Sequence, residues 1–470
     1  MRKPFLVASV AIAISGCTVG PNYRRPPVQT PSTFRAPTPL PAGEAASIAD
    51  LKWFDVFKDE QLRELVRIAL TQNYDLRDAV ARVEAARANL GITRSNQFPN
   101  FGAGASLSTI RISRNGETPL PKALVPSQNR TFGQATLDLL SFEVDIWGRL
   151  RRATEAARAN LLGADETRKA VITTLVSDVA TAYLSLRELD NQLEISQRTL
   201  ASRQESLKLI RNRQTGGVAT RLDLRQGEQL VYTAAETIPT LQQQIEQTEN
   251  RINLLLGRNP GDITRGRSLM AQEFPPEVPA GLPSSLLERR PDIRAAEQNL
   301  IAANAEIGVA KAAYFPTVSL TGFLGGQGTQ LSSLFSGPSG VWNLTPQVTQ
   351  PIFTAGRLRS NVKLTEALQQ SALIEYEKAI QTAFSEVSDA LIAHQRVRES
   401  RVQQELLVAA LDDRTRLAYV RYRGGVDTLL NALDADRDLF QAQLALSQIR
   451  LDELLTVVQL YKALGGGWQS

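Results

Sequence analysis

The sequence predicts a mixed α and β protein built from two copies of one unit, in which a strand hairpin leads into a long helical hairpin. Residues 148–151 recur at 356–359, and residues 216–218 recur at 424–426, both with an offset of 208 positions. Proline-free stretches of unusual length and four short segments with alternating apolar and polar residues support the same architecture. A duplicated unit with long rigid helices is more typical of a scaffold than of a catalyst.

The N-terminus predicts export and a lipid anchor. Residues 1–16 combine a basic start with a short apolar run, which is typical of a signal peptide and too short to span a membrane. Residues 14–17 resemble the bacterial lipobox, in which the cysteine, here Cys17, is acylated and becomes the mature N-terminus. Acyl chains contribute about 0.8 kcal/mol per buried CH₂, so several chains anchor a protein stably. In lipoproteins an Asp after the cysteine favours inner-membrane retention, and Thr18 stands there instead.

The segment after the anchor predicts a tether followed by helices. Residues 21–41 contain seven prolines, which favour extended, polyproline-like chain over helix. Helical periodicity then runs from Asp59 to Asn96, with a break expected near Asn73.

Two very long helices are predicted in the body of the chain. Residues 150–213 contain no proline and a single glycine, and residues 357–423 contain neither. Each stretch ends at a Gly-Gly pair, which supplies the positive φ needed to stop a helix and reverse the chain. The predicted return helices cover residues 219–256 and 427–464. We expect Gly227 and Pro239 to interrupt the first of them.

Four segments between the helices alternate apolar and polar residues with a period of two. Their apolar residues are Phe101, Ala103, Ala105 and Leu107; Leu140, Phe142, Val144 and Ile146; Val318, Leu320 and Leu324; and Trp342, Leu344, Val348 and Ile352. One apolar and one polar face on segments of about ten residues is typical of transmembrane β-strands. No apolar run of eighteen residues follows Cys17, so the sequence predicts no transmembrane helix.

The strand count predicts an oligomer. Strands in a membrane need every backbone group paired in a closed barrel, and about eight strands are the practical minimum. Two copies would supply eight strands around a filled interior, and three copies would supply twelve strands around an open pore. In either case the polar strand faces would point inward and the helical hairpins would extend the same wall.

Composition argues against a nucleic-acid surface and against catalysis. The net charge of +5 over 470 residues, with both signs interspersed, indicates solvated helix faces. His394 is the only histidine and Cys17 the only cysteine, so His-based metal clusters and Cys–His nucleophiles are excluded. Residues 360–363 fit S-x-x-K without its partner motifs, and we interpret the match as chance. We predict no enzyme and no cofactor beyond the lipid on Cys17.

The run over residues 281–287, with Arg289-Arg290-Pro291-Asp292-Ile293 after it, resembles the signature of the TolC-like outer-membrane efflux channel lipoproteins of the OprM and NodT type. Residues 17–23 look like the mature N-terminus of that family. The resemblance implies a homotrimer with a twelve-stranded transmembrane β-barrel, four strands per chain, continued by a long α-helical periplasmic barrel. It implies a passive exit duct for small molecules in a tripartite efflux pump. The implied partners are outer-membrane lipid, a periplasmic adaptor (membrane fusion protein) and an inner-membrane RND-type pump.

The resemblance also implies a gate at the periplasmic helical tip. Leu430 and Asp434 match gate positions of the family, and three copies of Asp434 would form a carboxylate ring that attracts cations beside a hydrophobic constriction. Tyr422 matches a tyrosine that hydrogen-bonds an aspartate on the neighbouring hairpin, here Asp223. Asn431 lies on the same helix face as Asp434 and stands where TolC has a second acidic residue.

These assignments divide the chain into successive parts. They are the signal peptide (1–16), the lipidated extended segment (17–50), the first repeat (51–257, strand hairpin about 99–147, helical tip 216–217), an equatorial linker (258–284), the second repeat (285–465, strand hairpin about 316–354, helical tip 424–425) and the C-terminal tail (466–470). Two alternatives remain open: the outer-membrane duct of a type I protein-secretion system, and a lipid-anchored periplasmic coiled-coil scaffold. The scaffold does not explain the four segments with a period of two.

Overall fold

The structure, a computed structural model, describes residues 18–36, 47–56, 58–111, 113, 128–273 and 283–468. The predicted signal peptide, Cys17 and the first residues of the family-like signature lie outside these ranges. So do the turn of the first strand hairpin and the last two residues of the tail.

The longer elements form two compact units. In chain order they are α1 (Glu60–Gln72), α2 (Tyr74–Ser95), β1 (Asn100–Arg111), β2 (Asn129–Val144), α3 (Arg149–Thr215), α4 (Arg221–Leu255), α5 (Pro291–Ala312), β3 (Thr317–Gly328), β4 (Gly340–Thr349), α6 (Arg357–Arg423) and α7 (Leu429–Ala463). The first unit comprises Met1–Pro26, Val83–Gly163 and Ala296–Glu375, and the second comprises Pro27–Arg82, Ala164–Ala295 and Tyr376–Ser470.

The long helices lie where the sequence predicts them. α6 coincides with the predicted residues 357–423, and α3 contains the predicted residues 150–213. The expected interruption of α4 was wrong, because this helix of 35 residues continues through both Gly227 and Pro239. An interior proline removes one backbone hydrogen bond and crowds the carbonyl four residues before it, which disfavours a helix without always ending it. A side chain at Gly227 would meet Ile210 Cδ1 at 3.1 Å, so this glycine allows α3 and α4 to pack closely. Within the described ranges, no helix combines the length and the apolar character needed to cross a membrane.

Four glycines end these helices in repeat-related pairs. Gly217 and Gly425 follow α3 and α6 with φ of 77° and 73°, and Gly257 and Gly465 follow α4 and α7 with φ of 69° and 81°. At each end the next N–H bonds a carbonyl five residues back, as Val218 does at 2.8 Å. This is the Schellman motif, in which a residue with positive φ terminates the helix. The prediction that the Gly-Gly pairs reverse the chain is confirmed.

The first unit contains a four-stranded antiparallel sheet in the order β1-β2-β3-β4. Directly opposed residues carry one apolar face and one mostly polar face across all four strands. One row of the apolar face is Ala103, Leu137, Leu324 and Trp342, and the adjacent row of the polar face is Gly102, Asp138, Phe323 and Asn343. The predicted alternation is therefore a property of the whole sheet.

A bulge in β2 corrects one detail of that alternation. The register between β2 and β3 shifts just before Phe142, which keeps Phe142 on the apolar face. Leu140 was predicted on the same face, but a Cβ at Gly102 would lie 3.3 Å from Leu140 Cδ1, so Leu140 lies on the polar face. One extra residue reverses the phase of the pattern, which sequence alternation alone cannot reveal. Ile146 and Ile352 lie beyond the ends of β2 and β4.

A buried carboxylate organises the start of the second unit. Asp59, which is 1% exposed, precedes α1 and accepts hydrogen bonds from Tyr183 Oη at 3.0 Å, Arg267 N at 2.9 Å and Gln272 Nε2 at 2.8 Å. Burial, together with the negative charge of Asp59, raises the pKa of the Tyr183 hydroxyl. These contacts join α1, α3 and the segment that follows α4.

The described part of the family-like signature forms a second joint. Buried Arg290 donates to both carboxylate oxygens of Asp292, at 3.0 and 2.6 Å. It also donates to Glu386 at 2.6 Å and to the carbonyl of Ala463 at 2.9 Å. The guanidinium thereby ties the start of α5 to α6 and to the end of α7. Bidentate carboxylate binding requires the planar fork of arginine, which explains why this residue type stands here.

Candidate functional site

The tips of the two helical hairpins pack against each other in the second unit. Ile210 of α3 contacts a buried cluster made of Tyr422, Leu429, Ala432 and Leu433. The cluster closes the start of α7 onto α3, so the predicted gate residues lie beside an ordered apolar core.

Leu430 and Asp434 lie outside this core and are accessible. Leu430 is 50% exposed, and the Asp434 side chain is 37% exposed. Their spacing of four residues places them on one face of α7. Arg437 stands one helical turn further along α7, and its Nη1 lies 3.1 Å from Asp434 Oδ1. In a ring of Asp434 carboxylates, each carboxylate would thus have an Arg437 guanidinium beside it. The sequence analysis missed this pair, although the spacing of three residues signals it.

Asn431 belongs to a small polar cluster at the same tip. Its Nδ2 donates to Asp427 Oδ1 at 2.7 Å, and Arg421 Nε donates to Asp427 Oδ2 at 3.0 Å. The Arg421 guanidinium, with help from Asn431 and the Thr428 N–H, lowers the pKa of Asp427. Asn431 therefore serves the turn between the helices, and its amide is occupied by Asp427.

Tyr422 and Asp223 are both ordered, but the hydrogen bond predicted between them is absent from the described part of this single chain. The Tyr422 ring is covered by the Arg213 guanidinium, whose Cζ lies 4.7 Å from the ring centroid. Asp223 accepts from the N–H and the hydroxyl of Thr220 at 2.7 and 2.8 Å, and its own N–H donates back to Thr220 at 3.1 Å. This capping box starts α4. The repeat-related Thr428 makes no side-chain cap bond at the start of α7.

A buried arginine above the tips links three helices, and the sequence analysis did not identify it. Arg203 of α3 is 3% exposed and donates to Asp436 Oδ2 on α7 at 2.6 Å. It also donates to the carbonyl of Leu230 on α4 at 3.0 Å, and its Cζ lies 4.9 Å from the Phe440 ring centroid. The two hairpins are therefore joined by a charge-assisted contact as well as by the apolar cluster.

In the first unit, the segment that follows Cys17 is docked on the helices. Val19 N donates to the carbonyl of Trp147 at 2.9 Å, and buried Arg152 donates to Asn22 Oδ1 at 2.6 Å. Gly20, with φ of +99°, lies so close to Gly308 that a Cβ on Gly20 would come within 2.5 Å of the Gly308 Cα. Only glycines allow this approach.

Charged contacts continue this docking along the same segment. Arg25 binds Glu297 through two hydrogen bonds, at 2.7 and 2.5 Å, and Tyr23 Oη donates to Glu297 Oε1 at 3.0 Å. Glu297 belongs to α5 and is largely buried. The segment from Val19 to Arg25 is thus fixed to α3, α5 and the chain between β2 and α3 by several contacts.

Possible catalytic and metal sites receive no support from the described residues. His394 Nδ1 lies 2.9 Å from Thr456 Oγ1, and burial lowers the pKa of its imidazole. In the described ranges no group of three or more histidine, cysteine, aspartate or glutamate side chains is arranged to hold a metal ion. His394 therefore acts as a packed helix residue.

Comparisons with known proteins agree with this architecture. The family model described as outer membrane efflux protein matches residues 65–258 and 282–466. The probable efflux pump outer membrane protein SepC of Pseudomonas putida is 40% identical, covering 100% of this chain and 98% of that protein. The cation efflux system protein CusC of Escherichia coli is 34% identical, covering 98% of each.

A solved structure is similar over almost the whole chain. The open state of the MtrE outer membrane channel of Neisseria gonorrhoeae superposes with a TM-score of 0.86 at 34% identity, covering 96% of this chain and 99% of that one. The four-stranded sheet and the two long helical hairpins are therefore those of the TolC-like fold. The chain belongs to the outer membrane efflux protein family and is an outer-membrane channel of bacterial efflux pumps that extends into the periplasm.

Proposed function

We propose that three copies of this chain form one channel that passively conducts small molecules through the outer membrane, gated at the helical tips. The observation that carries the proposal is the exposed apolar face of the sheet. Leu107, Trp342 and Val348 are 77%, 79% and 67% exposed in the single chain. A contiguous apolar surface of this kind requires lipid or a partner to cover it.

The trimer is supported by the two free edges of the sheet. β1 and β4 each pair on one side only, which leaves a row of unpaired backbone groups at either edge. Three copies joined edge to edge would satisfy these groups in a closed barrel of twelve strands, with the polar face lining the lumen. Two copies would leave no open pore, so a conducting channel favours three.

The gate is assigned to Leu430 and Asp434, with Arg437 as a third member. Three Leu430 side chains near the axis would form an apolar constriction that water wets poorly. The paired charges of Asp434 and Arg437 would then set the charge of the constriction. Opening would require the hairpins to separate. Because Tyr422 and Asp223 do not bond each other in the single chain, they are proposed to form their contact only in the assembled protein.

The partners are proposed to be a periplasmic adaptor and an inner-membrane RND-type pump. Relatives named as outer membrane proteins of efflux pumps support this, because such a name implies a separate driving component. Exposed apolar residues stand at matching positions of both tips, where an adaptor would dock. They are Val218 and Leu222 on one tip, and Val426, which matches Val218, on the other.

The lipid anchor is proposed to lie on Cys17. Support comes from the lipobox-like residues 14–17, and the docked segment at residues 18–25 would hold the chain that follows such an anchor. No catalytic step is assigned to the chain, and the energy for transport would come from the pump.

Ion selectivity in planar bilayers tests the gate. Replacing Asp434 by alanine removes three negative charges and leaves Arg437 with Asp438 as its remaining acidic partner, so the permeability ratio of K⁺ to Cl⁻ should fall. Arg437→Ala should raise the same ratio. Three like charges within about 5 Å of the axis in screened water change the local concentration of each ion about ten-fold, in opposite directions for cation and anion, and hence each ratio about hundred-fold. Glu399→Ala, an exposed residue of α6 paired with Arg396 at 2.7 Å, is the matched control and should change nothing. Unaltered ratios in both gate variants would refute the assignment.

A further inference from the structure

Asp138 occupies an unusual position in the middle of the sheet. It lies on β2, opposite Gly102 of β1 and opposite Phe323 of β3, in a row of the polar face. Directly opposed residues project from the same face. In the proposed channel, which this inference presupposes, that face lines the lumen.

Asp138 has no compensating charge among the described strand residues. The charged residues of the four strands are Arg111, Arg130, Asp138 and Glu143. Arg130 pairs with Ile110 at the far end of the hairpin, eight residues from Asp138. Glu143 is occupied by Arg149, which donates to both of its oxygens at 2.9 and 2.6 Å.

The neighbouring strand leaves room for this carboxylate. A Cβ at Gly104 would lie 3.1 Å from Asp138 Oδ2 and 3.3 Å from Thr136 Oγ1. The side chain therefore leans across β1 over a position that has no side chain of its own. Thr136 Oγ1 donates to Asp138 Oδ2 at 3.3 Å and fixes its direction. The glycine keeps the carboxylate open to solvent.

We propose that Asp138 makes the strand section of the duct selective for cationic solutes, independently of the gate. Three copies would place three uncompensated carboxylates around the lumen at one level of the sheet. Such a ring concentrates cations and depletes anions, whether the cation is a metal ion or an organic ammonium group. The charge acts on passing solutes and does not require a tight site.

The size of the effect follows from Coulomb's law. Three unit charges about 10 Å from the axis, in water with a Debye length of about 10 Å, enrich a monovalent cation about two-fold and deplete an anion about two-fold. Removing the charge should therefore lower the permeability ratio of K⁺ to Cl⁻ about four-fold.

Reversal potentials across bilayers in a KCl gradient test the proposal with three variants. Asp138→Asn should lower the ratio about four-fold. Gln134→Glu, which adds a carboxylate on the same face opposite Ser106 and Gln327, should raise it. The Asp138→Asn change should have the same effect in protein that also carries Asp434→Ala, because the proposed selectivity of the strand section does not depend on the gate.

The outcomes separate this proposal from the proposed function. If Asp138→Asn leaves the K⁺ to Cl⁻ permeability ratio unaltered, in protein that forms the same oligomer as the wild type, only the role of Asp138 is overturned. Absence of channels from the wild type itself would overturn the proposed duct. An effect of Asp138→Asn that disappears in the Asp434→Ala background would assign selectivity to the gate and refute an independent strand section.

Discussion

Replacing Arg203 tests whether a buried charge holds the two helical hairpins together above their tips. Arg203→Met keeps the apolar stem that packs near Phe440 but removes the guanidinium. The hydrogen bonds to Asp436 and to the carbonyl of Leu230, at 2.6 and 3.0 Å, are lost. Asp436, whose side chain is 12% exposed, is then left without its cation.

The expected loss is large because the remaining charge is poorly solvated. Removing one partner of a buried ion pair costs about 3–5 kcal/mol, whereas a charge-assisted hydrogen bond alone is worth about 1.5–3 kcal/mol. With Asp436 partly accessible, we expect Arg203→Met to lower the free energy of unfolding by about 3 kcal/mol. Replacing both residues, as Arg203→Met with Asp436→Leu, should cost about 2 kcal/mol less than the sum of the single changes, since no buried charge remains.

Unfolding of the detergent-solubilised protein by guanidinium chloride, followed by the helical circular dichroism signal, measures the loss in the single variant and the non-additivity in the double variant. Arg414→Met is the matched control, because Arg414 pairs with Asp438 at 2.9 Å but is 50% exposed. Exposed pairs contribute about 0.2–1 kcal/mol, so the control should be nearly neutral.

Two results would refute this reasoning. An Arg203→Met protein as stable as the Arg414→Met control would mean that the buried pair does not hold the hairpins. Strict additivity in the double variant would mean that Arg203 and Asp436 act independently despite their contact.

Three further predictions use the same unfolding measurement. Gly425→Ala should cost about 1–2 kcal/mol because φ is +73°, whereas Gly424→Ala, whose φ is not in that region, should cost well under that. Asp59→Ala should cost about 3 kcal/mol or more, since it leaves several buried donors unpaired; Asp59→Asn, which keeps an acceptor, should be milder. Burial raises the pKa of Glu188, so the folded state holds its proton more tightly than the unfolded state does. Glu188→Gln should therefore raise the free energy of unfolding at pH 7. This gain should fade as pH drops through the folded pKa towards the unfolded value near 4.5. A gain that does not depend on pH would contradict the prediction.

Much of the helical architecture could be predicted because local physics determines it. The bounds of α6 follow from the absence of glycine and proline within it and from the Gly-Gly pair after it. The repeat doubled the evidence for each helix end, since Gly217 and Gly425 adopt the same conformation. Pro239 was misjudged because a long packed helix overrides one unfavourable residue.

The contacts that hold the site could not be predicted in the same way. Arg203 and Asp436 are 233 positions apart, and no periodicity signals which of many charged residues will pair and be buried. No sequence pattern signals the bulge in β2 either, because Leu140 fits the alternation that the bulge breaks. The gate positions came from the family resemblance. The ion pair between Asp434 and Arg437 is signalled by their spacing of three residues, but the sequence analysis overlooked it.

Single-channel recording in planar bilayers tests the central claim most directly, with wild-type protein compared with Leu430→Ala. The account predicts brief or small openings for the wild type and larger, longer openings when the three proposed constricting side chains are shortened. Correctly folded, helical protein that gives no conductance in either form would contradict the channel and favour a scaffold that never crosses the membrane.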